Sequence, residues 1–360
     1  MYKRQIFNIE DETISLKSLL KDINVSIHLN FAKFSISKVE EISDLSNIEN
    51  ITYNNDIIGN LGKTGNWFSN LKKDHTAFEL SVKKHNQIYI DLSHYQNAGA
   101  TNVQQLAYAL AHTNEYLNYL DNTNISLADV KIIFNVAVGS NYFFEISKLR
   151  ALRKLWFTLA KAYDANPYCK IVATPSKRNK TIYDYNINML RSTTECMSAV
   201  LGGANIVYNQ PYNQLFQNNT EFGERISRNQ LLILKKESYL NTVNNPSDGS
   251  YYIESLTKQL ATRALSLFKD IEKNDGILSQ LKEGKIQQKI KEFAQKEQAD
   301  FDKNEITLLG TNKHPNPEDK MKNELEKSPF LKIEKRKTLI QPIIQKRLSE
   351  QLEIERLKTE

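Results

Sequence analysis

Short apolar runs alternate along the chain with longer stretches in which apolar residues return every three or four positions. The runs at 25–31, 51–53, 88–92, 132–138, 170–173 and 205–208 are β-branched or aromatic in character and predict strands. Between them the 3.6-residue period predicts helices. One carries Val103, Leu106, Leu110, Leu117 and Leu120, with Thr101 placed to cap it. Another carries Phe143, Ile146, Leu149, Trp156 and Leu159. A third carries Ile187, Leu190, Met197 and Leu201 and stops at Gly202-Gly203. Strands and helices alternating at ~30–45 residues imply parallel strands joined by crossover helices. The strands are apolar throughout, as expected when both faces are buried. An open doubly wound sheet and a (β/α) barrel both fit. The six strands fall two short of a closed barrel's eight, so either the sheet is open or two strands lie outside this chain.

Beyond Tyr208 the pattern changes. Long polar helices are expected around 223–238, 251–273 and 279–302, followed by a short strand at 306–309. After Gly310 the stretch Thr-Asn-Lys-His-Pro-Asn-Pro predicts an extended loop. The segment 338–360 reads as a charged amphipathic helix with Pro342 near its start, an arm lying over the barrel or onto a partner. The domain expectation is a barrel with appended helices over 1–310 and an extended and helical C-terminal arm over 311–360.

Composition narrows the class only modestly. The 360 residues are 40% hydrophobic and 25% charged, the profile of a globular protein. No apolar run approaches the ~20 residues of a membrane span, and no apolar segment follows Met1-Tyr2-Lys3-Arg4-Gln5, so no membrane is expected and the cytoplasm is the expected location. The two cysteines, Cys169 and Cys196, have no zinc-type spacing and read as buried thiols; no metal site is expected. A net charge of +6 lacks the aromatic-interleaved basic patch of a nucleic-acid binder, so no nucleic-acid partner is expected. Phosphate-bearing small ligands suit a mildly basic protein equally well.

Several stretches carry more specific information. They are Ser93-His94-Tyr95-Gln96-Asn97-Ala98-Gly99-Ala100-Thr101; Val138-Gly139-Ser140-Asn141 running on to Lys148-Leu149-Arg150-Ala151; Asn188-Met189-Leu190-Arg191-Ser192-Thr193-Thr194-Glu195; Glu224-Arg225-Ile226 through Gln230; and Asp248-Gly249-Ser250-Tyr251-Tyr252-Ile253-Glu254. In this order and spacing, from about residue 25 to about 310, they resemble the substrate barrel of the adenosylcobalamin-dependent acyl-CoA mutases, the methylmalonyl-CoA mutase family. The arm beyond resembles the tail of small mutase subunits. The resemblance implies an α/β fold, a (β/α)8 TIM-type barrel lacking its first two strands, with a C-terminal helical arm. It casts Met1 as a truncation point or a mispredicted start.

The family reaction is a radical rearrangement of an acyl-CoA, such as methylmalonyl-CoA to succinyl-CoA, in which the cofactor carries the hard chemistry. Catalytic chains hold cobalamin in a separate domain through the His of a DxHxxG motif. None of the histidines here, His28, His75, His85, His94, His112 and His314, has an aspartate two residues before it. The resemblance therefore implies that this chain alone binds no cofactor and has no cobalamin-binding domain. It implies a small subunit, non-catalytic and stabilising, in a heterodimer whose larger homologous subunit carries adenosylcobalamin. The alternative is a catalytic chain that uses His94 with a separate cobalamin-binding protein.

By the same resemblance His94 falls on the active-site His of YHMQEAGA, with Ser93 replacing the Tyr. Asn54 falls within a match to TIQND, and Thr64 stands where an Arg would pair with the substrate carboxylate. Lys63, its neighbour, is expected to point elsewhere and lacks the bidentate fork. Lys131 and Ile133 replace an Arg and a Ser that contact CoA. Val172, Thr174 and Lys177 replace the His, Gln and Gly of HxQTSG. The candidate site is thus His94 as catalytic residue, with Asn54 and Lys131 as substrate-binding residues. Whether the barrel takes any acyl-CoA is left open, and the arginines and glutamates of the quoted helices are expected to form buried scaffold pairs.

Overall fold

The structure, a computed structural model, describes residues 5–10, 13–21, 23, 25–45, 51–330 and 336–360. Strands β1 (Gln5–Ile9), β2 (Ile27–Phe31) and β3 (Ile51–Tyr53) pair in parallel in that order. A second parallel ladder runs β4 (Gln87–Asp91), β5 (Lys131–Val138), β6 (Cys169–Pro175) and β7 (Ile206–Val207). Side chains rather than a ladder join β3 to β4. Asn55 donates Nδ2 to Gln87 O at 3.1 Å and accepts Tyr89 N at 2.9 Å, and Asp56 Oδ2 accepts Asp91 N at 2.8 Å. These bonds satisfy backbone groups on a strand edge that would otherwise be unpaired.

Alternation along the strands sorts the apolar residues into two sets. Ile88, Ile90 and Leu92 of the β4 region, Ile132, Phe134, Val136 and Val138 of β5, and Ile171 and Ala173 of β6 pack outward into the main core beneath the helices. Phe134 meets Trp156 of the helix Tyr142–Ala162 edge-on at 6.1 Å. Tyr89, Ile133 and Val172 face the opposite way and form a separate cluster with Ile206. Parallel strands with one set of side chains turned onto a common axis and helices outside make a partial TIM-type barrel.

The capping signals hold. Thr101 and Gln104 form a capping box for the helix Asn102–Asp121, and the helix Ile187–Leu201 ends at Gly202. Other expectations are corrected. Seven strands are present among the described residues, one more than the six expected, because β1 precedes them; the partial TIM-type barrel itself is as expected. The expected strand at 306–309 is only an isolated bridge, Leu309 to Lys313. The expected helix at 279–302 is broken into Gly276–Lys282 and Lys285–Asp302 at Gly284, whose φ of +75° suits glycine. In Ile187–Leu201 the apolar period picked the wrong face. Leu190 is exposed while Asn188, Ser192 and Glu195 are buried, because Glu195 pairs with Lys180 at 2.7 Å and accepts Asn179 Nδ2 at 2.6 Å. Phe143 is likewise exposed, against Tyr252.

Within the expected helix 338–360, Glu350–Thr359 is helical, whereas 338–349 is not. The arm's backbone is held by the barrel's upper rim. Leu339 N and Ile340 N donate to Gly65 O at 3.0 and 3.2 Å, Ile343 N to Gly62 O at 2.8 Å, and Leu348 N to Arg178 O at 2.9 Å. Arg347 and Glu353, both nearly fully buried, pair at 2.5 Å. Among the described residues no helix is long and apolar enough to cross a membrane.

Candidate functional site

The inward residues of the strands enclose a cavity of about 690 Å³ at their C-terminal ends. Its wall is polar: Asn8, Asn30, Asn54, Asp91, Asn135 and Thr174. The arm roofs it with Arg336 and the stretch from Pro342 to Gln345. A second cavity of about 710 Å³ lies at the N-terminal ends of the strands and is lined by Thr52, Lys131, Ile133 and Lys170, among others.

Between the two cavities lies an apolar septum. Tyr89 is the register partner of Ile133, and Val172 that of Ile206. Tyr89, Ile133 and Val172 are 3%, 2% and 7% exposed and pack together between the two cavities. His28 of β2 stacks on Tyr89 at 4.6 Å and is tied to Thr52 Oγ1 and Asn30 Oδ1, both at 3.0 Å. Burial pushes the His28 imidazole down to about 4 despite the Asn30 hydrogen bond.

The candidate residues are not brought together. Asn54 lines the upper cavity, where its Oδ1 accepts Asp56 N at 2.9 Å. Lys131 opens β5 and lines the lower cavity, beyond the septum. His94 lines neither. It lies in the short helix Ser93–Asn97, whose Ser93 and Asn97 face the cavity, and its ring is turned beneath the rim against Tyr95, centroids 3.9 Å apart. A Cβ on Gly62 would sit 3.5 Å from His94 Nε2 and 3.6 Å from Ile343 Cδ1 of the arm. Both ring nitrogens are buried without a hydrogen-bond partner among the described residues. Burial pushes this imidazole down to about 4, against the pull of Asp91 and Asp56, so it is neutral near pH 7.

Thr64 Oγ1 is spent on Asn60 O and Asn66 O, each at 2.9 Å. Lys63 does line the cavity, contrary to the expectation that it points elsewhere. Lys177 joins it there, and burial lowers the Lys177 ammonium, helped by the positive charge of Lys63 and opposed by Asp91. Asp91 Oδ1 is held by Ser93 N at 3.0 Å, Ser93 Oγ at 2.6 Å and Asn135 Nδ2 at 2.8 Å.

Sequence reasoning missed the hub that positions this rim. Asp56 caps the helix Ile57–Thr64 through Gly59 N at 2.7 Å, and its Oδ1 also takes Tyr116 Oη at 2.6 Å and His112 Nε2 at 2.8 Å. Burial pushes the Asp56 carboxyl up, but the His112 and Tyr116 contacts hold it below the ordinary value. The i, i+4 pair His112 and Tyr116 on one buried helix face was the available signal.

The quoted scaffold residues fare unevenly. Arg150 is buried and ties two of the stretches together through Asp248 at 3.0 Å and Glu254. Glu224 and Arg225, expected in buried pairs, are exposed.

A parallel α/β barrel with a polar cavity at the C-terminal strand ends is of the TIM class. Within that class the chain belongs to the methylmalonyl-CoA mutase family: a family profile with that description, methylmalonyl-CoA mutase, matches residues 16–356. Among curated proteins it is 38% identical over 227 residues to the methylmalonyl-CoA mutase small subunit of Porphyromonas gingivalis, covering 61% of this chain and 37% of that one. It is 36% identical over 205 residues to the small subunit of Streptomyces virginiae, covering 56% and 33%. It is 34% identical over 248 residues to the methylmalonyl-CoA mutase of Rhizobium meliloti, covering 67% and 34%. The chain thus spans about a third of the length of these relatives.

Proposed function

We propose that this chain is the small subunit of a methylmalonyl-CoA mutase: a non-catalytic barrel that stabilises a larger homologous subunit, which binds adenosylcobalamin and the acyl-CoA. The observation that carries this reading is the septum. Tyr89, Ile133 and Val172 fill the axis that an acyl-CoA would have to share, and they separate Lys131 from Asn54. A thioester reaching the upper cavity from below would have to displace this layer, at roughly 1.5–3 kcal/mol for each large side chain exposed.

The imidazoles near the mouth also fit the reading. His28 has both nitrogens engaged, and His94 is fully buried, so neither fits the role of a cobalt ligand. The pairing of Arg150 with Asp248 and Glu254 supports a barrel that keeps its scaffold while its substrate contacts differ. Porphyromonas gingivalis has both a small and a large subunit with which this chain is similar, at 38% and 31% identity.

Co-expression with a larger mutase subunit tests the proposal. The expected result is a 1:1 complex in which cobalamin stays with the larger chain after separation. Mutase activity from this chain supplied only with a free cobalamin-binding protein overturns it and restores a catalytic role for His94.

A further inference from the structure

We propose that the upper cavity binds a small, multiply charged anion bearing phosphate or carboxylate groups, held between Lys63, Lys177 and Arg336 with Asn97 as a neutral donor. The site does not depend on the partner-subunit reading, because it is built entirely within this chain.

Three separate elements deliver the cations to one space. Lys63 comes from the last turn of the helix Ile57–Thr64, Lys177 from the loop after β6, and Arg336 from the arm, where its Nη2 also donates to Thr64 O at 2.8 Å. Among the described residues none of the three forms an ion pair. The only carboxylate lining the cavity among the described residues is Asp91, whose Oδ1 already accepts three hydrogen bonds. Among the described residues three solvent-exposed cations and one carboxylate line this cavity, an excess of two positive charges around its mouth. Lys327 adds to the crowding: its charge, like that of Lys63, disfavours the Lys177 ammonium. A concave wall focuses the field of such an excess on any anion that enters.

Asn97 supplies the second observation. It is 6% exposed and lines the cavity. Its side-chain oxygen accepts Lys177 N at 2.8 Å and Ser176 Oγ at 3.1 Å. A backbone N–H can only donate, so the acceptor is the oxygen and the amide orientation is fixed. Nδ2 is left without a partner among the described residues, a donor in a wall that already carries excess positive charge. The septum closes the floor, so the occupant is short and enters from the mouth. A volume of about 690 Å³ lies within the range of small-metabolite sites.

The test uses the full-length chain with pyrophosphate and citrate as probes, at ionic strength held constant with sodium chloride. Titration calorimetry and thermal melts should show saturable binding by at least one probe. Lys63→Gln and Lys177→Gln should each weaken it about tenfold, while Lys258→Gln, an exposed control elsewhere, should not. Relief of the charge excess adds a sign test that does not need the ligand: both cavity variants should melt higher than wild type in chloride alone, and gain less from the probe. Absence of saturable binding by both probes overturns the proposal, as does equal binding by wild type and both cavity variants. A drop in the ligand-free melting point of both variants also counts against it, since the lysines would then be held by interactions other than a missing anion.

Discussion

Truncating the septum at Ile133 should cost less than the same truncation in the core behind it. Ile133 is 2% exposed, yet it stands in a single apolar layer with a cavity above and another below. Ile133→Ala removes three carbon groups, worth about 0.8 kcal/mol each, or about 2.4 kcal/mol in transfer terms. In a sealed core an added void term takes Ile→Ala toward the upper half of the ~2–5 kcal/mol range. In the septum the space joins the two cavities and fills with water, so no sealed void remains and the cost stays near about 2.5 kcal/mol. Ile90 is the matched control: it is the same residue type, fully buried, on the outward face of the adjacent strand. Ile90→Ala should cost about 4 kcal/mol. Urea unfolding of the two variants, with equal m-values as the condition for comparison, reads the difference directly. An Ile133→Ala cost equal to or larger than that of Ile90→Ala refutes the reasoning, because it would mean that protein rather than water closes over both sides of the layer.

The remaining predictions concern the rim and arm. His94, with its pKa lowered to about 4 against an ordinary 6.5, stays neutral in the folded state while the unfolded chain takes up a proton; the stability it supports is present above pH ~6.5 and is lost as pH falls toward 4, by up to about 3 kcal/mol. His94→Leu should flatten that acid limb, and an unchanged stability–pH profile would refute the assignment. Arg347→Ala strands the buried Glu353 carboxylate and should destabilise the arm by about 3–5 kcal/mol, seen as faster proteolysis within 336–360. Gly65 has φ +80°, and a Cβ there would lie 2.7 Å from Ile340 O, so Gly65→Ala should lift the arm by about 1–3 kcal/mol. Its signature is faster amide exchange at Leu339, Ile340 and Ile343 than elsewhere.

The strand–helix alternation, the Thr101 cap and the stop at Gly202 were legible because each is a local signal. Strand β1 was not, since Ile6, Phe7 and Ile9 form a short apolar group within a polar terminus, and only pairing with β2 makes it a strand. The non-helical form of 338–349 is not legible locally because it rests on backbone bonds to Gly62, Gly65 and Arg178, far away in sequence. Leu190 was placed inward because hydrophobicity was used to choose a face that the Lys180–Glu195 pair in fact decides. The replacements at Ile133 and Val172 were visible in the sequence, but their meaning was not. Only the register puts them beside Tyr89 and Ile206 and turns separate substitutions into one septum. His94 shows the converse: its position in a motif is evident, while the burial of its ring against Tyr95 shows only in the fold.

The stoichiometry of ligand binding in the assembled complex tests the central claim most directly. A non-reacting thioether analogue of the acyl-CoA is titrated into the complex of this chain with a larger mutase subunit, and bound analogue and bound adenosylcobalamin are counted per pair. A closed barrel axis in this chain predicts one of each. Two molecules of analogue per pair, the second lost on substitution of Lys131 or Asn54, would contradict it.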